Sequence, residues 1–470
     1  MMKTVMKKLF VMLMFGLGML GQTFAQDVIG SWKGELNVMG QSIPLVAHFF
    51  EENGGLSGKL DSPKQGAIGI VMKKVLFESG MLSFEMSVGY ASYEGLIVGE
   101  EIKGYFSQGG MKLPLDLKKL ETETSTPVIP SKVQDPKPPF PYDISDITFE
   151  NQKENIILAG TLTKPQGHGP FPAVVLVSGS GPQNRDQEIL GHKPFWVMAD
   201  FLSRNGVVVL RYDERGVGQS TGDFSKAMTN DFKDDAMAGM DYLSSLPFVD
   251  KNKLGIIGHS EGGLVSWMVG AEYTNLGFVI SLAGPVVKIT DLMEKQTEDV
   301  VRSSGAPEEI VRASVNQNKA IYNLVTESQS EGAWKSQLRP VFETYLKELN
   351  VPQMTWDTQI RQLQQTFESQ LTPWMVNFLK TNPETYIRNI KVPVFAAFGG
   401  KDVQINAASN AKHLQELFQS KPGLLELKVY EELNHLFQTA NTGSILEYGQ
   451  LEETFNEVVL IDMLNFILRQ

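Results

Sequence analysis

The stretch Lys253-Leu254-Gly255-Ile256-Ile257-Gly258-His259-Ser260-Glu261-Gly262-Gly263-Leu264-Val265 decides the fold. A short apolar run ends in Gly-x-Ser-x-Gly, and a small-residue, apolar segment suited to a helix follows at once. The glycines let the chain turn sharply from strand to helix with no side chain blocking either element. Such a turn lifts the Ser260 hydroxyl out of a sheet and sets it at a helix N-terminus, where an alkoxide and an oxyanion are both favoured. On this reading Ser260 is a covalent nucleophile.

The same five-residue pattern recurs at Gly218-Gln219-Ser220-Thr221-Gly222, and context separates the two. Ser220 lies several residues past its strand, in a Gly/Ser/Thr loop, and Asp223-Phe224-Ser225-Lys226 follows it instead of a small-residue helix. Ser220 therefore reads as a loop residue.

At 470 residues the chain is long enough for two or three domains and a sizeable core. A formal charge of −12 without a basic patch argues against a nucleic-acid partner. At the N-terminus Lys3, Lys7 and Lys8 precede an apolar run over residues 9–20, and Thr23-Phe24-Ala25 resembles a cleavage site. Residues 1–25 thus read as a signal peptide, which predicts a secreted or periplasmic protein with no stable membrane anchor after cleavage. With no cysteine there is neither a lipid attachment site nor a disulfide framework.

Residues 26–120 show period-two runs such as Met81-Leu82-Ser83-Phe84-Glu85-Met86, separated by glycine and polar turns. They predict a small all-β barrel or sandwich, with Gly30-Ser31-Trp32 a faint echo of lipocalin-like barrels. This reads as an accessory domain, and His48, with no partner visible nearby in sequence, as a surface or core histidine rather than a ligand. Residues 121–141, with six prolines from Pro127 to Pro141, predict a semi-extended linker. From residue 142 apolar runs of strand length alternate with helical segments, as in Ala173-Val174-Val175-Leu176-Val177 and Val394-Phe395-Ala396-Ala397-Phe398. The fold class is α/β, a mainly parallel sheet with helices on both faces over residues 142–470. The alternation stops at about 287–390, where a helical lid is expected above the strand ends.

A serine hydroxyl needs a base, and the base needs an acid to hold one tautomer; in this topology the chain order is serine, acid, histidine. After Ser260 only His413 and His435 remain. His413 lies within a helical pattern, whereas His435 follows the strand-like Leu425-Glu426-Leu427-Lys428-Val429-Tyr430, so His435 is the base. The acid is Asp402, just past the strand that ends in Gly399-Gly400, rather than the cap of the helix starting near Asn406. The oxyanion donors are the backbone amides of Glu261, the residue after the nucleophile, and of Ser180, in the loop Ser178-Gly179-Ser180-Gly181. Arg185 and Asp186 read as an ion pair pinning that loop.

Together these residues resemble the α/β-hydrolase superfamily, in particular bacterial lidded esterases of the serine-aminopeptidase-like subgroup. The resemblance spans residues 142–470. It rests on Leu158-Ala-Gly-Thr-Leu162, Ser178-Gly-Ser-Gly181 with Arg185-Asp186, Arg211-Tyr-Asp-Glu-Arg-Gly-Val-Gly-Gln-Ser220, Gly258-His-Ser-Glu-Gly-Gly263, Gly400-Lys-Asp402 and Asn434-His435. Many relatives carry His-Gly where this chain has Ser178-Gly179. Asp213 and Arg215 match a structural loop of the family. The resemblance implies a serine hydrolase that cleaves a small-molecule carboxylic ester through an acyl-enzyme. Two rival readings are an aminopeptidase or amidase, with Glu294 or Glu298 holding a substrate ammonium, and a ligand-binding protein with a vestigial hydrolase domain. No cofactor or metal is expected: Gly216-Val-Gly218-Gln-Ser-Thr-Gly222 opens into Asp223-Phe224-Ser225 instead of a helix, and the histidines lack metal-ligand spacing.

Overall fold

The computed structural model describes residues 28–38, 41–52, 55–62, 67–78, 80–86, 91–108, 111–120, 132–328, 330 and 332–470. The expected signal peptide lies outside them. They form two compact units, Met1–Pro130 and Ser131–Gln470.

In the smaller unit the period-two runs become β1 (Gly30–Val38), β2 (Gln41–Glu52), β3 (Gly55–Ser62), β4 (Ala67–Glu78), β5 (Met81–Met86), β6 (Ser92–Val98), β7 (Glu101–Gln108), β8 (Met111–Pro114) and β9 (Leu117–Lys119). The strand order is β6-β5-β4-β3-β2-β1-β9-β7-β8, and a further β6–β7 pairing closes the antiparallel sheet into a barrel. Closure removes the exposed edges that a sandwich would keep. Alternate residues point inward: Leu82, Phe84 and Met86 of β5 are buried, with Phe84 stacked on Tyr93 at 5.1 Å. His48 does have partners. Strand register sets it opposite Ser31, whose hydroxyl lies 2.8 Å from Nδ1, and Nε2 lies 2.8 Å from the buried Asp61 carboxylate. The ring thus ties β1, β2 and β3 together, a structural role.

The larger unit is built on β10 (Tyr142–Asn151), β11 (Ile156–Pro165), β12 (Phe171–Val177), β13 (Val208–Tyr212), β14 (Val249–His259), β15 (Phe278–Leu282), β16 (Val394–Gly399) and β17 (Leu425–Tyr430). They form one sheet in the order β10-β11-β13-β12-β14-β15-β16-β17. The strands from β12 to β17 pair in parallel, while β10 and β11 are antiparallel additions at one edge. The continuous apolar runs of β13, β15 and β16 are buried along their whole length, as they must be with helices on both faces. Those helices are α1 (Pro194–Arg204), α2 (Thr229–Ser245) and α3 (Glu261–Glu272). Between β15 and β16 come α4 (Ile289–Ser303), α5 (Glu308–Glu327), α6 (Leu338–Glu348), α7 (Trp356–Gln370), α8 (Pro373–Lys380) and α9 (Pro383–Ile387). They form a helical insertion where the alternation was expected to stop. The chain closes with α10 (Ala407–Phe418) and α11 (Glu457–Arg469).

The order reverses at β12, which lies between β13 and β14, so the crossovers leave this point in opposite directions and open a crevice at the strand ends. The loops after β12 and β14 meet there, with Val177 paired to Gly258.

The expected linker divides. Its first residues, 121–131, lie outside the described set, whereas residues from Lys132 onward are fixed on the larger unit. Lys132 Nζ donates to the carbonyls of Gly449 (3.1 Å) and Leu451 (2.8 Å), and Gln134 bonds both the amide and the carbonyl of Phe455.

Gly255 shows how tightly the sheet is packed: a Cβ there would overlap the ring of the fully buried Phe278. Gly255→Ala should lower the unfolding free energy of this unit by about 2–3 kcal/mol, the cost of overpacking a filled core. Urea unfolding followed by tryptophan fluorescence measures it, since Trp196, Trp267, Trp334, Trp356 and Trp374 all lie in this unit.

Candidate active site

β14 ends at His259 and α3 begins at Glu261, leaving Ser260 alone to make the turn, with φ +56° and ψ −119°. A side chain other than glycine is strained in that conformation by about 1–3 kcal/mol. The surroundings hold it there. The Ser260 amide donates to the Leu282 carbonyl of β15 at 2.9 Å. A Cβ at Gly258 would overlap the Gly262 carbonyl, one at Gly262 would overlap the Val177 carbonyl, and one at Gly263 would lie 2.5 Å from Gly284 Cα. The three glycines are needed because the first turn of α3 presses directly on the strand ends. Ser260 then lines a cavity of about 250 Å³.

Ser220 has a different task. Its hydroxyl donates to the Asp213 carbonyl (2.6 Å) and accepts from the Ala159 amide (2.9 Å), stitching its loop to β11.

His435 lines the same cavity as Ser260. Its Nδ1 lies 2.7 Å from Asp402 Oδ2, and both residues are buried. Asp402 Oδ1 accepts the amides of Gln404 (2.7 Å) and Ile405 (2.8 Å), so the carboxylate is fixed at both oxygens. The cap of α10 is Asn406, which accepts from the Ser409 amide. Gly399 and Gly400 serve close approach: Cβ atoms there would lie 2.6 Å from the Asn434 carbonyl oxygen and from Glu431 Cα. The loop that carries His435 is held by Asn434, whose Oδ1 accepts the amides of Leu436 and Gln438, each at 3.0 Å. His413 sits instead on α10, 3.2 Å from Glu384.

The loop after β12 also borders the cavity through Gly179, Ser180, Gln183 and Gln187, and a Cβ at Gly179 would lie 3.0 Å from Ser260 Cβ. Among the described residues the amides of Ser180 and Glu261 have no protein acceptor. Arg185 and Asp186 pin the loop, but not to each other. Arg185 bonds Asp213 (2.7 Å) and Asp186 pairs with Arg211. Ser178 donates to Glu214 at 3.0 Å, and Glu214 also accepts the Gln183 amide at 2.9 Å. Burial pushes the Glu214 carboxyl well above the usual carboxylate range. Arg215 completes the run by holding Asp235 at 2.7 Å.

Several contributors were not singled out from the sequence. His259 Nε2 donates to the His435 carbonyl at 2.8 Å, and its Nδ1 accepts from Gln187 Nε2 at 2.7 Å. Burial, helped by the neighbouring His435, pushes the His259 imidazole down to about 3, so the ring stays neutral with Nδ1 an acceptor. The Glu261 carboxyl is buried beside Ser260 and accepts from Trp374 Nε1 of the insertion at 2.8 Å. Leu292, Met293, Met375 and Phe378 of α4 and α8 supply an apolar wall of the cavity. Their pairing with the strand ends leaves no local signature. Glu294 and Glu298 do not line the cavity: Glu294 pairs with Lys319 at 2.9 Å, and Glu298 with Lys295 at 3.0 Å and Arg302 at 3.1 Å. Among the described residues no cluster of histidine and carboxylate side chains is arranged to hold a metal ion.

The family described as serine aminopeptidase, S33 (Hydrolase_4), matches residues 195–439, more than half of the chain. The chain is 25% identical over 298 residues to esterase EstD of Thermotoga maritima, a match covering 63% of this chain and 61% of that protein. It is 32% identical over 122 residues to polyketide transferase claH of Penicillium crustosum, covering 23% of this chain and 38% of that one. The chain therefore spans less than two thirds of either curated relative. Among solved structures the Pyrococcus furiosus esterase Pf2001 aligns with 16% identity and a TM-score of 0.42, over 70% of this chain and 93% of that one.

His192 extends the polar support behind the loop that carries His435. It is fully buried, with Nδ1 2.9 Å from Thr454 Oγ1, Nε2 3.0 Å from the Tyr448 carbonyl, and Gln438 beside it. Burial pushes its imidazole down from the usual 6.5 to about 4. Between those values the unfolded chain binds a proton that the folded chain refuses, so this contribution to stability is complete above pH 6.5 and is lost as pH falls towards 4. Unfolding free energy should fall by about 1.4 kcal/mol per pH unit for each such histidine in that window. His192→Asn should flatten the slope by that amount in urea titrations between pH 6 and 4.5; an unchanged slope refutes the assignment.

Proposed function

Since the chain belongs to the serine aminopeptidase S33 family of α/β hydrolases, we propose that this hydrolase cleaves carboxylic esters through an acyl-enzyme formed on Ser260. The observation that carries this is the 2.7 Å contact of His435 Nδ1 with a doubly anchored Asp402, in the cavity that Ser260 lines. Asp402 holds the Nδ1–H tautomer, which leaves Nε2 free to accept the serine proton. Ser260 Oγ attacks the acyl carbonyl carbon as its proton passes to His435. The Glu261 and Ser180 amides receive the oxyanion, each donor worth about 3 kcal/mol of barrier. Collapse expels the alcohol with the proton from His435, and a water activated by the same ring then releases the acid and restores Ser260.

The cavity favours a neutral substrate. An aminopeptidase needs a carboxylate free for an ammonium group, and Glu294 and Glu298 are spent on cations outside the cavity. Among the described residues the one carboxylate that lines the cavity beside Ser260, Glu261, already accepts from Thr229 and Trp374. The apolar side chains of α4 and α8 suit an acyl group, and on this reading the insertion is the lid that keeps water out. The esterase name of the Thermotoga relative points the same way.

A fluorophosphonate should label the wild type and leave Ser260→Ala unlabelled, with ester turnover of that variant down about a millionfold. An unlabelled wild type would support the vestigial-hydrolase alternative. Across matched acyl esters and aminoacyl amides, esters should turn over faster; amide turnover well above ester turnover overturns the ester assignment. Asp402→Asn should lower kcat about ten-thousandfold through loss of the tautomer.

A further inference from the structure

Glu261 offers the reaction its backbone amide, yet its side chain occupies a site that would be unfavourable without compensation. The carboxyl is 3% exposed and adjoins Ser260, so its negative charge would oppose an oxyanion forming at its own amide. Two hydrogen bonds answer it, from different elements. Oε1 accepts from Thr229 Oγ1, the first residue of α2, at 2.6 Å, and from Trp374 Nε1, on α8 of the insertion, at 2.8 Å. The Ser180 side chain, in the loop after β12, acts on the same carboxyl in the same sense as these donors, while burial on balance raises its pKa. The Trp374 ring stacks on Phe378 at 5.3 Å and both side chains line the cavity, so the N–H that meets Glu261 belongs to the substrate-facing wall.

We propose that the Glu261 carboxylate is a positioning group through which the helical insertion, by way of the Trp374 N–H, holds the Glu261 and Ser180 amides in register for the oxyanion. The inference rests on the assignment of Ser260 as nucleophile. The carboxylate opens α3 in the cavity that Ser180 also lines, and its donors absorb a charge that would otherwise raise the barrier. With the insertion displaced, Trp374 leaves, Oε1 keeps only Thr229, and the unbalanced charge falls where the oxyanion must form. Acyl transfer is then efficient only with the insertion seated, which couples closure to chemistry without the insertion contributing a reacting group. The substitution Glu261→Gln keeps an acceptor in place of Oε1 and removes the charge.

The test uses the full chain with p-nitrophenyl butyrate. Trp374→Phe keeps the ring wall and removes the donor, so kcat should fall roughly tenfold or more while KM moves by less than about twofold. Thr229→Val removes the other Oε1 donor and should act in the same sense. Adding Glu261→Gln to Trp374→Phe should restore part of the lost kcat, because the unbalanced charge goes with it; a purely structural contact would make the double variant worse. A wild-type kcat for Trp374→Phe, a loss confined to KM, or a double variant no better than Trp374→Phe overturns the inference. Fluorophosphonate separates the two levels: an unlabelled wild type removes the nucleophile assignment beneath it, whereas a labelled wild type with any of those kinetic outcomes removes this inference alone.

Discussion

The close approach of the first turn of α3 to the ends of β12 and β14 is the constraint on which the site depends. Gly262 rests against the Val177 carbonyl and Gly258 against Gly262, with no room for a Cβ at either. The chain can cross from strand to helix in one residue only by placing Ser260 at φ +56°. That strain, on the order of 1–3 kcal/mol, persists because the hydrogen bond to Leu282 and the packed glycines leave no relaxed alternative. In return the serine stands clear of the sheet, and Glu261, which opens α3, lines the same cavity.

Around this turn, ionisable side chains are buried, each with a partner on a neighbouring element. Arg211, Asp213, Glu214 and Arg215 are each about 5% exposed, and every one reaches a different partner. Three of the four hold the loop after β12, so a run of buried ionisable residues that does not line the cavity still shapes its rim. A neutral substitution of one member leaves its partner buried and unpaired, which costs more than the pair itself contributes. Ser178 fits this scheme: its hydroxyl docks the start of the loop onto Glu214, a tie that anchors the loop without an imidazole.

Much of this was legible because it is local. Continuous apolar runs identify buried parallel strands, and the strand-turn-helix context separates Ser260 from Ser220 within a dozen residues. Asp402 and His435 follow from strand ends taken in chain order, and the structure brings their side chains together. What escaped is non-local. The barrel could not be told from a sandwich because its closure depends on the β6–β7 and β1–β9 pairings, and the second joins residues at opposite ends of the unit. His48 looked solitary because its partners lie across strand register, 17 and 13 residues away. The Gln187–His259 and Glu261–Trp374 contacts span 72 and 113 residues, through side chains whose local patterns are those of an ordinary loop and an ordinary helix.

Two histidines meet at the centre with opposite electrostatic demands, their rings 4.8 Å apart. In the proposed mechanism His435 becomes an imidazolium, and a second cation at that distance would oppose it. His259 avoids the conflict through its environment. With its surroundings holding it at about 3, the ring keeps its Nε2 proton on the His435 carbonyl and its Nδ1 on Gln187. The same desolvation that would penalise a charged base thus makes its neighbour a neutral brace. Asp402, held at both oxygens, is placed to balance the charge that the proposed mechanism puts on His435, and the difference between the two rings lies in which of them faces a carboxylate.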